Sequence, residues 1–359
     1  MAYLAPIGET DDRPAAIHCL DPLRDPRWSE FVSGHPNASV FHSVGWLRAL
    51  HVTYGFEPIA IATSGQAGGI QDAVLFCSVR SWLTGSRLVS LPFSDHCEPL
   101  VDSGEALKQL SEFVERMGRR QGRRYVEFRP VAMDFESIVG FRKSSTFYHH
   151  RLDLRPSLDA LFCGFHKDCV QRKIRKGEDL SCESGRTELL VLKLYDVLRL
   201  SRRRHHLPPP PIRWFKNLIE CLGGNVCIKI ASKGGQAIAG ILTLSHGKSM
   251  IYKYGGSDAQ FHKLGGMQLL LWKAIQEAKE AGAEELDLGR SDCSNVGLIA
   301  FKDRWAAKRV PLSYWRTSGT SIADLTEASW KVRYAKKLFA MLPDSALTAA
   351  GTFLSGHID

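Results

Sequence analysis

The chain has 359 residues, 44% apolar and 24% charged, so it can bury the cores of about two domains and is not intrinsically disordered. Its net charge of +9 favours anionic partners such as nucleotides, coenzyme A, tRNA, acidic lipids or phosphorylated sugars, and singles out none of them. Nine cysteines without a CxxC pair argue against a zinc site and against a secreted disulfide framework, and no apolar run reaches the roughly 18 residues of a membrane span.

The N-terminus, MAYLAPIGETDDRP, turns acidic too early for a signal peptide, so the expected location is the cytoplasm. The expected organisation is an extension over 1–24, a first lobe over 25–148, a second over 149–318 and a helical tail over 319–359. The first lobe begins with a helix in GWLRALHVTYG, then strand, Gly-rich turn and strand in PIAIATSGQAGGIQDAVLFCSVR. LKQLSEFVERMGRRQGRRYVEFRP (107–130) follows as a helix, with Leu107, Leu110, Val114 and Met117 on its buried face, and a strand. The second lobe repeats this order with IRWFKNLIECLGG, CIKIASKGGQAIAGILTLSHG and MQLLLWKAIQEAKEAGAEELDLGR (267–290). The repeat places Glu127 and Asp287 at matching strand positions. The fold class is therefore α+β (mixed α/β), not a doubly wound sheet, with the cleft between the lobes as the expected site.

No GxSxG, HExxH, P-loop or strand-borne GxGxxG occurs, so no protein nucleophile and no metal ligand is expected. HKLGGMQLLLW (262–272) sets Gly265 and Gly266 where a helix begins, and the free N–H groups there suit an anion; a plain turn is the alternative. HKDCVQRKIRKGEDL (166–180) surrounds the helical face of Val170 and Ile174 with Arg172, Lys173, Arg175 and Lys176, to hold a phosphate-bearing substrate or simply to face water. In RRRHHLPPPP, Arg204 and His205 precede a rigid proline turn and can face the cleft. In MIYKYGGSD (250–258), strict alternation puts Tyr252 and Tyr254 on one side and Lys253 on the other. Tyr254, near the strand end, is a candidate proton donor or substrate contact, with core packing as the alternative. Asp287, at a strand end beside Arg290, is a candidate acceptor for an amine proton or half of a structural ion pair. SNVGLIAFKDRW (294–305) aligns Leu298, Phe301, Lys302 and Trp305 on one helical face. Read alone, Lys302 is a snorkelling side chain with its stem on Leu298 and Trp305, its ammonium in water and a cation–π contact to Trp305. In the tail, WKVRYAKKLFAMLP is a basic amphipathic helix that packs on the body or touches the inner membrane surface.

FHKDCVQRKIRKGEDL, RRRHHLPPPPIRWFKNL, MIYKYGGSDAQFHKLGGMQLLLWKAI and LDLGRSDCSNVGLIAFKDRWAA, in this order, resemble FemAB-like (BioF-like) acetyltransferases of the GNAT superfamily, over roughly residues 25–317. The resemblance implies two tandem GNAT-like lobes and transfer of an acyl or aminoacyl group to an amine. Phe301 and Lys302 match the Phe-Lys pair at the reaction centre of the Fem transferases, whose lysine stabilises the developing oxyanion. His262 and Gly265, followed by Met267, match the GNAT pyrophosphate loop Gln/Arg-x-x-Gly-x-Gly/Ala in its first glycine only. Asp102, in PFSDHCEPLVD, matches the acid of the Fem Gly-Pro-x-x-Asp segment, while Leu50 stands where those proteins carry a phosphate-contacting lysine. The expected function is N-acyl transfer from an acyl-CoA-type donor such as acetyl-CoA to an anionic small-molecule or carrier-linked amine, in cell-envelope or polysaccharide biosynthesis. One alternative is a Fem-type aminoacyl-tRNA-dependent transferase acting on a peptidoglycan-like precursor. Another is a non-catalytic protein that binds a carrier or partner. DNA is not an expected partner.

Overall fold

The computed structural model describes residues 16–65, 68–81, 85–317, 339 and 342–354. Apart from Phe339, Leu342 and Pro343, the basic tail segment WKVRYAKKLFAMLP lies outside the described residues; a helix Asp344–Leu354 follows it. No helix among the described residues is long and apolar enough to cross a membrane, and none of the nine cysteines is in a disulfide.

The first half runs β1 (Ile17–Leu20), α1 (Pro26–Gly34), α2 (Val44–Tyr54), β2 (Glu57–Ser64), β3 (Ile70–Ser81), β4 (Gly85–Val89), α3 (Gly104–Arg120), β5 (Val126–Phe128) and β6 (Phe141–Asp153). The second continues α4 (Leu158–Gly164), α5 (Arg172–Gly177), β7 (Ser181–Gly185), α6 (Glu188–Arg204), α7 (Ile212–Leu222), β8 (Val226–Lys233), β9 (Gln236–His246), β10 (Ser249–Ser257), α8 (Gly266–Glu280), β11 (Glu285–Asp292), α9 (Val296–Asp303) and β12 (Lys308–Thr317). This is the expected mixed α/β class. Local chemistry places the helices. Ser103 caps α3 through the Ala106 N–H, with Glu105 in the first turn and Arg119 and Arg120 in the last, complementing the helix dipole. Pro211, the last of four prolines, stands directly before α7.

All strands join one 12-stranded sheet, ordered β1-β2-β3-β4-β5-β12-β6-β11-β10-β9-β8-β7. The internal repeat is visible in it. In each half three antiparallel strands are followed by a parallel one, β5 beside β4 and β11 beside β10. Val89 lies opposite Glu127 and Ile251 opposite Asp287, so the two matching acids occupy equivalent register positions. β6 runs through the 148/149 division, and β12, late in the chain, lies between β5 and β6. The lobes are therefore stitched by backbone hydrogen bonds.

They are also joined by a shared core. The repeated helices α2 and α7 meet through Trp46 and Trp214, both fully buried and packed edge to face at 5.3 Å. One expectation for β10 is overturned. A register shift between Tyr252 and Tyr254 breaks the alternation, so Tyr252 packs in the core beneath α8 while Tyr254 joins the core of α2 and α7. The two tyrosines do not share a side.

Because Trp46 sits at the centre of the inter-lobe core, Trp46→Ala should cost about 3–5 kcal/mol, read from the urea midpoint at unchanged m-value.

Candidate active site

Backbone pairing between β10 and β11 is confined to Ser249–Ile251 against Glu285–Asp287, after which the strands part. Both are irregular at this point, β10 around Lys253 and β11 between Asp287 and Arg290. In β11 the irregularity centres on Gly289, at φ +72°, where an added Cβ would lie 2.6 Å from the Asp95 carboxylate. Only glycine fits that backbone and that clearance.

α9, capped by the Asn295 side chain on the Leu298 N–H, presents Lys302 to the bulge. Lys302 is 2% exposed, and its Nζ donates to the carbonyls of Gly289 (2.8 Å) and Arg290 (2.9 Å). The snorkelling expectation is corrected here: the ammonium is inside, held by bulged backbone. Burial pushes its pKa down to about 8, against the partial support of Asp95 and Asp287. Trp305 packs edge-on against Phe165 at 4.9 Å, and Phe301 lies half-buried at the neighbouring core.

The first lobe reaches into this centre through the segment after β4. Leu91 and Phe93 adopt positive φ, and Arg129 donates to the Leu91 (3.0 Å) and Ser94 (3.2 Å) carbonyls. The segment delivers Asp95 and His96. Asp95 lies 3.4 Å from Lys253 Nζ, and its backbone carbonyl accepts from Tyr314, whose hydroxyl accepts from Arg290 (2.6 Å). Burial opposes ionisation of Asp95, but Lys253 and Arg290 outweigh it and hold the carboxyl below its usual range.

Asp287 accepts three hydrogen bonds. Oδ2 takes His96 Nε2 at 2.8 Å, and Oδ1 takes His149 Nε2 at 2.7 Å and the Gly289 N–H at 2.6 Å. Burial works against the charge, and His149 and His96 overcome it, so the carboxyl is held well below its ordinary range. Burial likewise opposes protonation of His149, and Asp287 reverses the balance, raising its pKa. The two histidines and Asp287 are the group among the described residues whose ligand atoms converge, within 4.8 Å, closely enough for a metal ion. They fit a metal poorly. A metal-bound imidazole normally gives its other N–H to a second acceptor, and neither Nδ1 has a partner among the described residues.

A cavity of about 190 Å³ lies where β10 ends and α8 begins, lined by Lys173, Ser257, His262, Gly266, Met267 and Phe301 among others. Gly265, at φ +80°, precedes α8 without a side-chain cap, and an added Cβ would meet the Lys173 carbonyl at 2.1 Å. His262 Nε2 lies 2.9 Å from Ser257 Oγ, and Arg204 donates to the Ser257 carbonyl (3.3 Å), 3.4 Å from His262. Burial lowers the His262 pKa, and Arg204 and Lys173 add to the effect.

The structure thus gathers Lys302, Arg290 and Asp287 at one centre, and His262, Gly265, Gly266, Arg204 and Phe301 around one cavity. The others stand apart. Tyr254 is buried and accepts from Trp214 Nε1 (2.8 Å). Arg172, Arg175 and Lys176 face outward on α5, where Lys173 is the cation that lines the cavity. His205 and Asp102 are exposed. Sequence reasoning passed over His96, His149, Asp95 and Lys253. The first sits in PFSDHCEPLVD and the second in SSTFYHH, and nothing in either stretch indicates that they share a carboxylate.

The depressed Lys302 pKa has a signed consequence. Between pH 8 and 10.5 the unfolded chain holds the proton and the folded one releases it, so folding stability rises with pH across that window. Relative to Lys302→Met, the wild type should gain a few kcal/mol, at about 1.4 kcal/mol per pH unit, in urea titrations at pH 7 and pH 10.

Residues 166–303 match the family model of an acetyltransferase (GNAT) domain. Among solved structures, FemX superposes with a TM-score of 0.64 at 15% identity, over 80% of this chain and 94% of its own. The C-terminal domain of a candidate lysylphosphatidylglycerol synthetase from Agrobacterium fabrum gives 0.55 at 16% identity, over 86% and 95%. A tandem GNAT protein from the clavulanic acid biosynthesis pathway gives 0.54 at 13% identity, over 86% and 99%. No curated protein sequence matches the chain. Residues 166–303 thus match an acetyltransferase (GNAT) domain, set in a two-lobed fold that the chain shares with FemX and the tandem GNAT protein.

Proposed function

We propose that the chain is an N-acyltransferase that takes an acyl-CoA-type thioester and passes its acyl group to the amine of an anionic or carrier-linked acceptor in cell-envelope or polysaccharide biosynthesis. The observation that carries this reading is the opening between β10 and β11, with an uncapped helix start at one end and a buried ammonium beside it. The free N–H groups of α8, with Lys173, His262 and Arg204, suit the pyrophosphate of the donor. Attack by an amine on the thioester carbonyl builds an oxyanion. Lys302 has three N–H donors and uses two on the bulge, which leaves one for that oxyanion. With its pKa near 8 it is mostly charged at pH 7. No protein nucleophile is required.

A Fem-type reading, with aminoacyl-tRNA as donor, draws support from the likeness to FemX and from the outward cations Arg172, Arg175 and Lys176. Two measurements separate the readings. Acetyl-CoA should raise the melting temperature, while charged tRNA should give no gel shift that steepens as salt falls. The reverse pattern would transfer the assignment to the aminoacyl-tRNA reading, and no response to either would favour a non-catalytic binding protein. In acetyl-transfer assays Lys302→Ala should lower turnover by about 10²–10³; a fully active variant removes Lys302 from the mechanism.

A further inference from the structure

The acyl-transfer reading leaves open where the amine proton goes, and a cluster of side chains outside the donor cavity bears on it. His96 comes from the first lobe, His149 from β6 and Asp287 from β11. The Asp287 carboxylate binds each imidazole at Nε2, one per oxygen, and the Gly289 N–H fixes Oδ1. An ionised carboxylate only accepts, so both Nε2 atoms carry protons, and in the neutral rings both Nδ1 atoms are lone-pair bases. Both Nδ1 atoms are buried and have no hydrogen-bond partner among the described residues. Buried polar atoms are seldom left in that state without water or a ligand to meet them. The two rings line a second cavity, of about 180 Å³, together with Glu98, Arg151, His246 and Glu285.

Position supports a reactive role. Asp287 is the last paired residue of β11 before the strands part. The second cavity borders Val40 and Ile251, which belong to the core of α2 and α7, whereas the donor cavity borders Ile238 and Ala239, in the core beneath α8. The two cavities lie on opposite faces of the sheet, and the second reaches Ile251 and Asp287, the last pair before the strands part.

We propose that His96 and His149, clamped by Asp287, are the proton acceptors for a primary amine bound in the cavity they line. This rests on the acyl-transfer reading and adds its acceptor side. As the amine nitrogen forms its bond to the thioester carbonyl carbon, its proton passes to an imidazole Nδ1. Collapse of the tetrahedral adduct breaks the C–S bond, and the same proton leaves the imidazolium for the departing thiolate. Asp287 is the positioning residue that fixes the tautomer. Asp95 and Arg151 are the other charged groups acting on His149.

The test uses the full chain, labelled with ¹⁵N-histidine, with the pH raised until the ring resonances are those of neutral imidazoles. The two resonances identified by their loss in His96→Gln and His149→Gln should show protonated Nε2 and bare Nδ1, and Asp287→Asn should disperse that single tautomer. A protonated Nδ1 on either ring overturns the proposal. So does stoichiometric zinc binding that Asp287→Asn abolishes. In acetyl transfer from acetyl-CoA to a phosphorylated amino sugar such as glucosamine 6-phosphate, the double His→Gln variant, whose side chains still donate to Asp287, should lose about 10²–10⁴ in kcat/KM together with the acidic limb of the pH profile. Full activity with an unchanged profile overturns it. If the unsubstituted chain transfers no acetyl group, the proposed function loses its support, and the tautomer spectra decide the histidine pair on their own.

Discussion

A carboxylate buried where three chain segments meet is expensive unless each of its oxygens is satisfied. Asp287 meets that condition with donors from the first lobe, from β6 and from its own strand. The requirement propagates. It fixes the segment carrying His96, and so also Asp95, whose backbone carbonyl is tied to Tyr314 and through it to Arg290. It fixes the bulge at Gly289, whose carbonyl, with that of Arg290, accepts from Lys302. One desolvated charge thereby aligns two lobes, a strand irregularity and a buried ammonium.

The duplicated position in the first lobe is solved differently. Glu127 occupies the register place of Asp287 but is paired with Arg129 (2.8 Å) and Arg316 (2.5 Å). Burial opposes its charge, and the two guanidiniums prevail, holding its pKa below the usual range. Guanidiniums do not titrate in the working range, so this pair is a fixed clamp. Arg129 uses its other donors on the carbonyls of Leu91 and Ser94, which shapes the segment that enters the second lobe. The matching place holds imidazoles, whose neutral form keeps a lone-pair nitrogen that a guanidinium lacks. The same sheet position is a brace in one half and a histidine cluster in the other.

Much of the architecture was legible in the chain. Helical and strand periods are set by local geometry, so the repeated order of helix, hairpin, helix and strand, and the pairing of Glu127 with Asp287 across the repeat, emerge from spacing alone. Lys302 stood out because a charge in an apolar stripe is locally anomalous. Its setting was not legible, since burial depends on the carbonyls of a bulge formed by another strand. Tyr254 was misplaced because a one-residue bulge inverts the alternation on which its direction was based. On α5 the period marks a charged surface, but only packing against Gly265 and α8 selects Lys173 over its neighbours as the cation at the cavity.

By itself the sequence determined the element order, the internal duplication, the absence of nucleophile motifs and the stripe that carries Lys302, because each is written in residues close along the chain. The tertiary structure alone decided the proton-bearing chemistry. His96, His149 and Asp287 are separated by 53 and 138 positions in the chain and share a carboxylate only because the sheet stitches β6 beside β11 and the first lobe reaches across. A hydrogen bond is made at about 2.8 Å, and no local pattern of residues encodes which distant partners will meet at that range.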